Sequence, residues 1–162
     1  MPDKKFSFEV IDNRTNPDFA SNTFSVVKFK GYDAISRPYI FEILLISSIN
    51  NIDLSAAVHL DARLTFHHAT DNTKDIWYNG VLSQIEQLHK FGQHVFYRAL
   101  LVPRLWRLTL NKQYKVYLNK TAIQIIQAAF ADSPLGTTDY DITTIATQIL
   151  LDEEDISDDD SD

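Results

Sequence analysis

Phe6, Phe8 and Val10 alternate with Ser7 and Glu9, and this period of two predicts a half-buried strand near the start of the chain. The stretch "DNRTNPDFASN" follows, polar and rich in turn-forming residues. Aromatic and valine positions return over residues 23–29, a second strand that "KGYD" (residues 30–33) is expected to close with a glycine turn. "RPYIFEILLISS" reads as a long third strand with Pro38 at its start, where a missing N–H costs no ladder bond. Asp53 is placed to cap a short helical turn in "LSAAVHL", ahead of a strand over residues 62–67. Two long sheet-like runs, 76–90 and 94–103, flank Phe91, Gly92 and Gln93, which predicts a hairpin with glycine at positive φ; Gly80 is a candidate bulge or corner.

A last short strand is expected over 114–118, after which the period changes. Ala122, Ile125, Ile126 and Ala129 recur at spacings of three and four, and Thr121 with Gln124 forms the Thr-x-x-Gln pattern of a capping box, so a helix is predicted over 121–131. Ile145, Ala146, Ile149 and Leu150 share a face behind Asp141 and suggest a second helix over 142–150. About seven strands precede a helix with no βαβ rhythm. The fold class is therefore mainly β, an antiparallel barrel or sandwich with one or two packed helices, and not a doubly wound sheet.

The length of 162 residues suits one domain with a short appendage, and 44 % hydrophobic and 12 % aromatic residues are enough to build a core. Net charge is −7, but eight acids and no Lys or Arg lie in residues 152–162, so the remainder carries +1. That terminal stretch repels itself and is expected to be a disordered acidic tail. A nearly neutral body argues against a nucleic-acid footprint; Lys112, Lys115 and Lys120 read as solvated loop and edge residues. No window approaches a membrane span, and "MPDKKFSFEV" has no apolar stretch of a signal peptide, which points to a cytoplasmic product.

Catalytic chemistry is hard to assemble from these residues. The absence of cysteine excludes disulfides, thiolate metal sites and cysteine nucleophiles. Four glycines form neither GxxxxGK nor GxGxxG, so no nucleotide cofactor is expected. His67 and His68 are adjacent in a strand and should point to opposite faces, which disfavours a shared metal; His89 and His94 straddle the hairpin and could face each other, and His59 stands apart. No G-x-S-x-G elbow surrounds a serine, and Ser83 sits in mid-strand. Asp12, Asp18, Asp33, Asp53, Asp71 and Asp75 fall at turns and caps, their ordinary place. Ser157 among acids is a short kinase-like motif. No catalytic, metal or cofactor residue is assigned.

"LVPRLWRL" (101–108) reads as a strand end. Pro103 removes a ladder donor, Arg104 and Arg107 keep their heads in water, and Trp106 covers a core edge. The functional alternative is an aromatic and cationic patch. It would suit a small carbohydrate- or ligand-binding barrel in which Trp77 and Trp106 stack on sugar rings.

"YRALLVPRLWRLTLNKQYKVYLNKTAIQIIQAAF" (97–130), "FKGYDAISRPYIFEILLISS" (29–48), "ARLTF" (62–66) and "NGVLSQIEQL" (79–88) together resemble the VgrG family of type VI secretion spike proteins, in the part similar to contractile-phage tail hubs. The blocks follow the family's order and spacing over roughly residues 6–131. The resemblance implies a hub β-barrel over 1–131 with its helix at 121–131, three copies associating as the base of a spike, and contacts with sister subunits, secretion tube, baseplate and effectors. It implies no catalytic residues, and export through the contractile apparatus itself. Family members continue into a second hub domain, a neck and a β-helix spike; this chain instead has a divergent segment over 132–151 and the tail over 152–162. The resemblance therefore implies a truncated or stand-alone hub acting through protein contacts.

Overall fold

In the computed structural model, residues 5–11, 16–110, 112, 114–136 and 139–140 are described. The chain divides into two compact units, Met1–Pro103 and Arg104–Asp162. The expected helix over 142–150, the acidic tail, Asp12 and Ser157 lie outside the described residues.

Among the described residues the first unit holds six strands, β1 (Phe6–Ile11), β2 (Ser25–Ala34), β3 (Arg37–Ser47), β4 (Asp61–Phe66), β5 (Ile76–Phe91) and β6 (His94–Val102), with a short α-helical turn, α1 (Leu54–Ala57). They form a single antiparallel sheet in the order β1-β4-β5-β6-β3-β2. Alternation decides which face is buried. Phe41, Ile43, Leu45 and Ser47 of β3 are buried while Glu42, Leu44 and Ile46 are more exposed; Val95, Tyr97, Ala99 and Leu101 repeat the pattern on β6. Phe8, Leu64, Leu82 and Ile85 complete the apolar face from the other strands.

This face curls on itself. Phe6 on edge strand β1 and Phe29 on edge strand β2 meet at 5.0 Å, and both rings reach Phe66, at 5.4 and 5.1 Å. Tyr39, Phe41 and Tyr78 extend this into one six-ring cluster of edge and tilted contacts. Among the described residues the two edges are joined by rings and not by a ladder, so the expected barrel is a half-barrel. A second cluster, Phe8, Phe24 and Tyr97, packs loop residue Phe24 on the same core.

Local chemistry explains most boundaries. Asp53 caps α1 by accepting from the Ser55 and Ala56 N–H groups. Gly92, at φ 59°, forms the two-residue turn that pairs Phe91 with His94. Pro38 lies in the register shift between the Ala34/Arg37 and Tyr32/Ile40 pairs, where it displaces no ladder partner.

Two glycine expectations are corrected. Gly31 does not close β2, which runs on to a turn at Ile35 and Ser36; the Phe41 ring occupies the space a Cβ would need. Gly80 is no bulge: it pairs in register with Ala62, and a Cβ there would stand 2.1 Å from the Val102 carbonyl oxygen. The bends in β5 fall instead between Leu82 and Gln84 and between Gln87 and Lys90.

The second unit contains a 3-10 helix, Arg104–Leu110, and helix α2 (Ala122–Ala131). Thr121 and Gln124 make both bonds of the capping box. The strand expected over 114–118 is absent: the segment has no ladder partner among the described residues, and alternation without a neighbour does not make a strand. Tyr114 and Val116 are consequently 104 % and 86 % exposed. Helix α2 also departs from expectation, because none of its apolar residues is buried.

Candidate assembly surfaces

Among the described residues the half-barrel leaves two open strand edges. Along β2 the bulge between Val26 and Lys28 makes Val27 an unpaired, half-exposed residue, and Lys28 and Lys30 flank Phe29. Such an edge presents backbone N–H and C=O groups able to pair with another chain, while charged residues and a bulge discourage indiscriminate stacking.

Next to this edge, Lys28, Lys30, Leu44, Leu88, His89 and Arg98 line an open groove of about 520 Å³. Glu42 stands between cations, 3.8 Å from Lys30 Nζ and 3.9 Å from Arg98 Nη1, and Arg98 also pairs with Glu86. Each such exposed pair contributes less than about 1 kcal/mol. The groove is an apolar strip with a basic margin.

In the second unit the two arginines of "LVPRLWRL" do not keep their heads in water as expected. Arg104 pairs with Asp139 Oδ1, and Arg107 Nη1 stands 4.0 Å from Asp139 Oδ2. Burial by itself would raise the Asp139 carboxyl; the Gly136 N–H at 2.8 Å, the Arg104 bond and both guanidinium charges outweigh it and hold the group below its ordinary range. Trp106 is half-buried. Pro103 does follow the last residue of β6. Lys115, Tyr117, Leu108, Ala129 and Asp132 line a recess of about 270 Å³ in the same unit. Lys115 is bound to Asp132 and Lys120 lies 5.9 Å from the Tyr117 ring, so these lysines are partly engaged within the unit.

The remaining chemical candidates take structural places. Asp18 accepts from the Asp53 N–H, Asp71 caps a 3-10 turn, and Asp33 accepts from the Tyr78 hydroxyl. Ser83 donates to the Leu100 carbonyl. The two hairpin histidines part company: His94 pairs with Phe91 while His89 stacks on Phe96 at 4.7 Å. Among the described residues no group of three or more His, Asp or Glu side chains could hold a metal. Trp77 and Trp106 belong to different units, and nothing supports a shared sugar-stacking platform. Tyr39 donates to the Asn79 carbonyl; burial, then the charge of Asp33, pushes its hydroxyl up to about 12.

One constellation escaped the sequence. Strand pairing sets Ser7 opposite Thr65 and so diagonal to His67, with Ser7 Oγ 2.8 Å from His67 Nε2, and His67 Nδ1 stands 2.7 Å from Asp75 Oδ2. Sixty residues separate Ser7 from His67, and only the β1–β4 register joins them.

The described residues thus form a curled antiparallel sheet that buries one face and leaves two edges open. The chain belongs to the phage tail baseplate hub (GPD) family, whose model matches residues 32–152. It is 30 % identical over 134 residues to the type VI secretion system spike protein VgrG5 of Pseudomonas aeruginosa, covering 77 % of this chain and 16 % of the relative. It is 23 % identical over 128 residues to VgrG1b of the same organism, covering 79 % and 17 % respectively. A solved E. coli protein, c3393, described as a type VI secretion component similar to the T4 bacteriophage tail proteins gp27 and gp5, superposes with a TM-score of 0.58. Identity there is 25 %, over 67 % of this chain and 29 % of that one. The chain thus spans about one-sixth of the length of these spike relatives. No helix among the described residues is long and apolar enough to cross a membrane.

Proposed function

We propose that this chain works through protein contacts, in an assembly role that needs no catalysis, as the hub portion of a contractile injection spike, with sister copies, tube and baseplate proteins as its partners and effectors as cargo. Residues 1–131 form the hub module, 132–151 a further segment that the family model still covers, and 152–162 an acidic tail. It is made in the cytoplasm and exported through the contractile apparatus. The observation that carries this reading is the curled sheet with two open edges, in a chain whose residues 32–152 match the hub family. The exposed Tyr114, Val116 and Leu118 add apolar surface of the kind that partners cover.

Sedimentation of the full chain at rising concentration, with an apolar-surface dye and with purified tube and baseplate proteins added, tests this. Self-association, ideally threefold, or a stable complex with tube or baseplate protein is the expected result. A monomer at all concentrations that binds neither the dye nor those proteins overturns it.

A further inference from the structure

The contacts around His67 assign its ring a tautomer. Asp75 is anchored twice: Oδ1 accepts the His68 backbone N–H at 2.8 Å and Oδ2 faces His67 Nδ1 at 2.7 Å. A carboxylate only accepts, so Nδ1 carries the hydrogen, and in the neutral ring Nε2 is then the nitrogen with the lone pair. The partner of Nε2 is Ser7 Oγ, which in that neutral form is the donor. The His68 N–H first, and the His67 bond second, hold the Asp75 carboxyl below its ordinary range, so it remains an acceptor in neutral solution.

This is the order of groups that activates a serine: hydroxyl to imidazole nitrogen, the other nitrogen to a fixed carboxylate. The Asp75 side chain is 12 % exposed and firmly seated, whereas that of His67 is 34 % exposed, so the relay is held from below and open above. The backbone adds a further feature. His67 N–H bonds the Lys5 carbonyl, so ladder alternation turns the Phe8 N–H away from β4, toward an edge that pairs with no strand among the described residues. That N–H belongs to the residue after the serine, the position that commonly donates to an oxyanion.

We propose that Ser7 is an activated nucleophile that takes an acyl group from small activated esters, with His67 as general base and Asp75 as its positioning residue. Ser7 Oγ bonds to the ester carbonyl carbon as its proton passes to His67 Nε2. The tetrahedral oxyanion then re-forms the carbonyl, the bond to the alcohol oxygen breaks, and that oxygen takes the proton from His67. Water attacks the acyl-Ser7 in the same way, giving the carboxylic acid and the free hydroxyl. This chemistry is separate from hub assembly and uses none of the groove residues.

The test is covalent labelling of the full-length chain with a fluorophosphonate, with peptide mass mapping of the site and p-nitrophenyl acetate hydrolysis followed in parallel. A single adduct at Ser7 is expected, absent in Ser7→Ala. The labelling rate should fall about 10²-fold in His67→Gln, the ordinary contribution of a general base, and less steeply in Asp75→Asn. Circular dichroism identifies any variant that has lost its fold, and the other then carries the comparison. No adduct at Ser7, or labelling equally fast in a folded His67→Gln or Asp75→Asn protein, overturns the proposal and leaves the three groups as a clasp between β1 and the β4–β5 connection.

Discussion

Phe6 on β1 and Phe29 on β2 lie with their ring centroids 5.0 Å apart at an interplanar angle of 72°, joining two strands that share no ladder. The sheet's curl is maintained there by side chains and not by backbone hydrogen bonds. An edge-to-face pair contributes about 0.5–1.5 kcal/mol beyond its buried area. A double-mutant cycle with Phe6→Ala and Phe29→Ala, read by denaturant midpoints, should therefore return a coupling of that size. Purely additive losses would show that the curl comes from strand twist and bulges alone.

Gly80 and Gly92 should respond differently to alanine. At Gly80 a methyl group meets the Val102 carbonyl oxygen at 2.1 Å, so β5 and β6 must separate, at about 1–3 kcal/mol. At Gly92 nothing stands within 4 Å and the only cost is the φ of 59°, about 1 kcal/mol. Thermal unfolding of the two variants should rank Gly80→Ala as clearly the less stable.

Alkaline pH should weaken the first unit through Tyr39. Its folded pKa of about 12 lies above the ordinary 10.0, so the unfolded chain loses the phenolic proton first. Stability is full below pH 10 and falls as the pH rises toward 12. Tyr39→Phe should flatten the dependence in that window, measured by urea unfolding at a series of pH values, although losing the bond to Asn79 lowers its overall stability.

Acid should act on the second unit through Asp139. The carboxyl is held below its ordinary value, so its contribution is present above the unfolded pKa of about 3.9 and is lost as the pH falls through the lower folded value. Trp106, in the same unit, gives a fluorescence signal for this loss. Asp139→Asn should weaken the unit at neutral pH and remove that part of the acid transition.

Much of this architecture was legible locally. Alternation in "RPYIFEILLISS", Asp53 before α1, Gly92 between two long runs and Thr121 with Gln124 each depend on neighbours within a few residues, and each stands where it was expected. The 114–118 stretch shows the limit of that information, since it alternates like a strand yet has no neighbouring strand to pair with. The same limit explains Gly80, whose constraint is a carbonyl on another strand, and the arginines of "LVPRLWRL", whose carboxylate lies more than thirty residues onward.

By itself the sequence determined six of the seven strands it suggested, the caps and the hub resemblance, because side-chain periodicity and turn chemistry act over single residues and single turns. Tertiary structure alone decided the order β1-β4-β5-β6-β3-β2, the closure of Phe6 on Phe29 and the meeting of Ser7, His67 and Asp75. These depend on register between strands far apart in the chain, and a register shift of one residue would turn Ser7 to the opposite face.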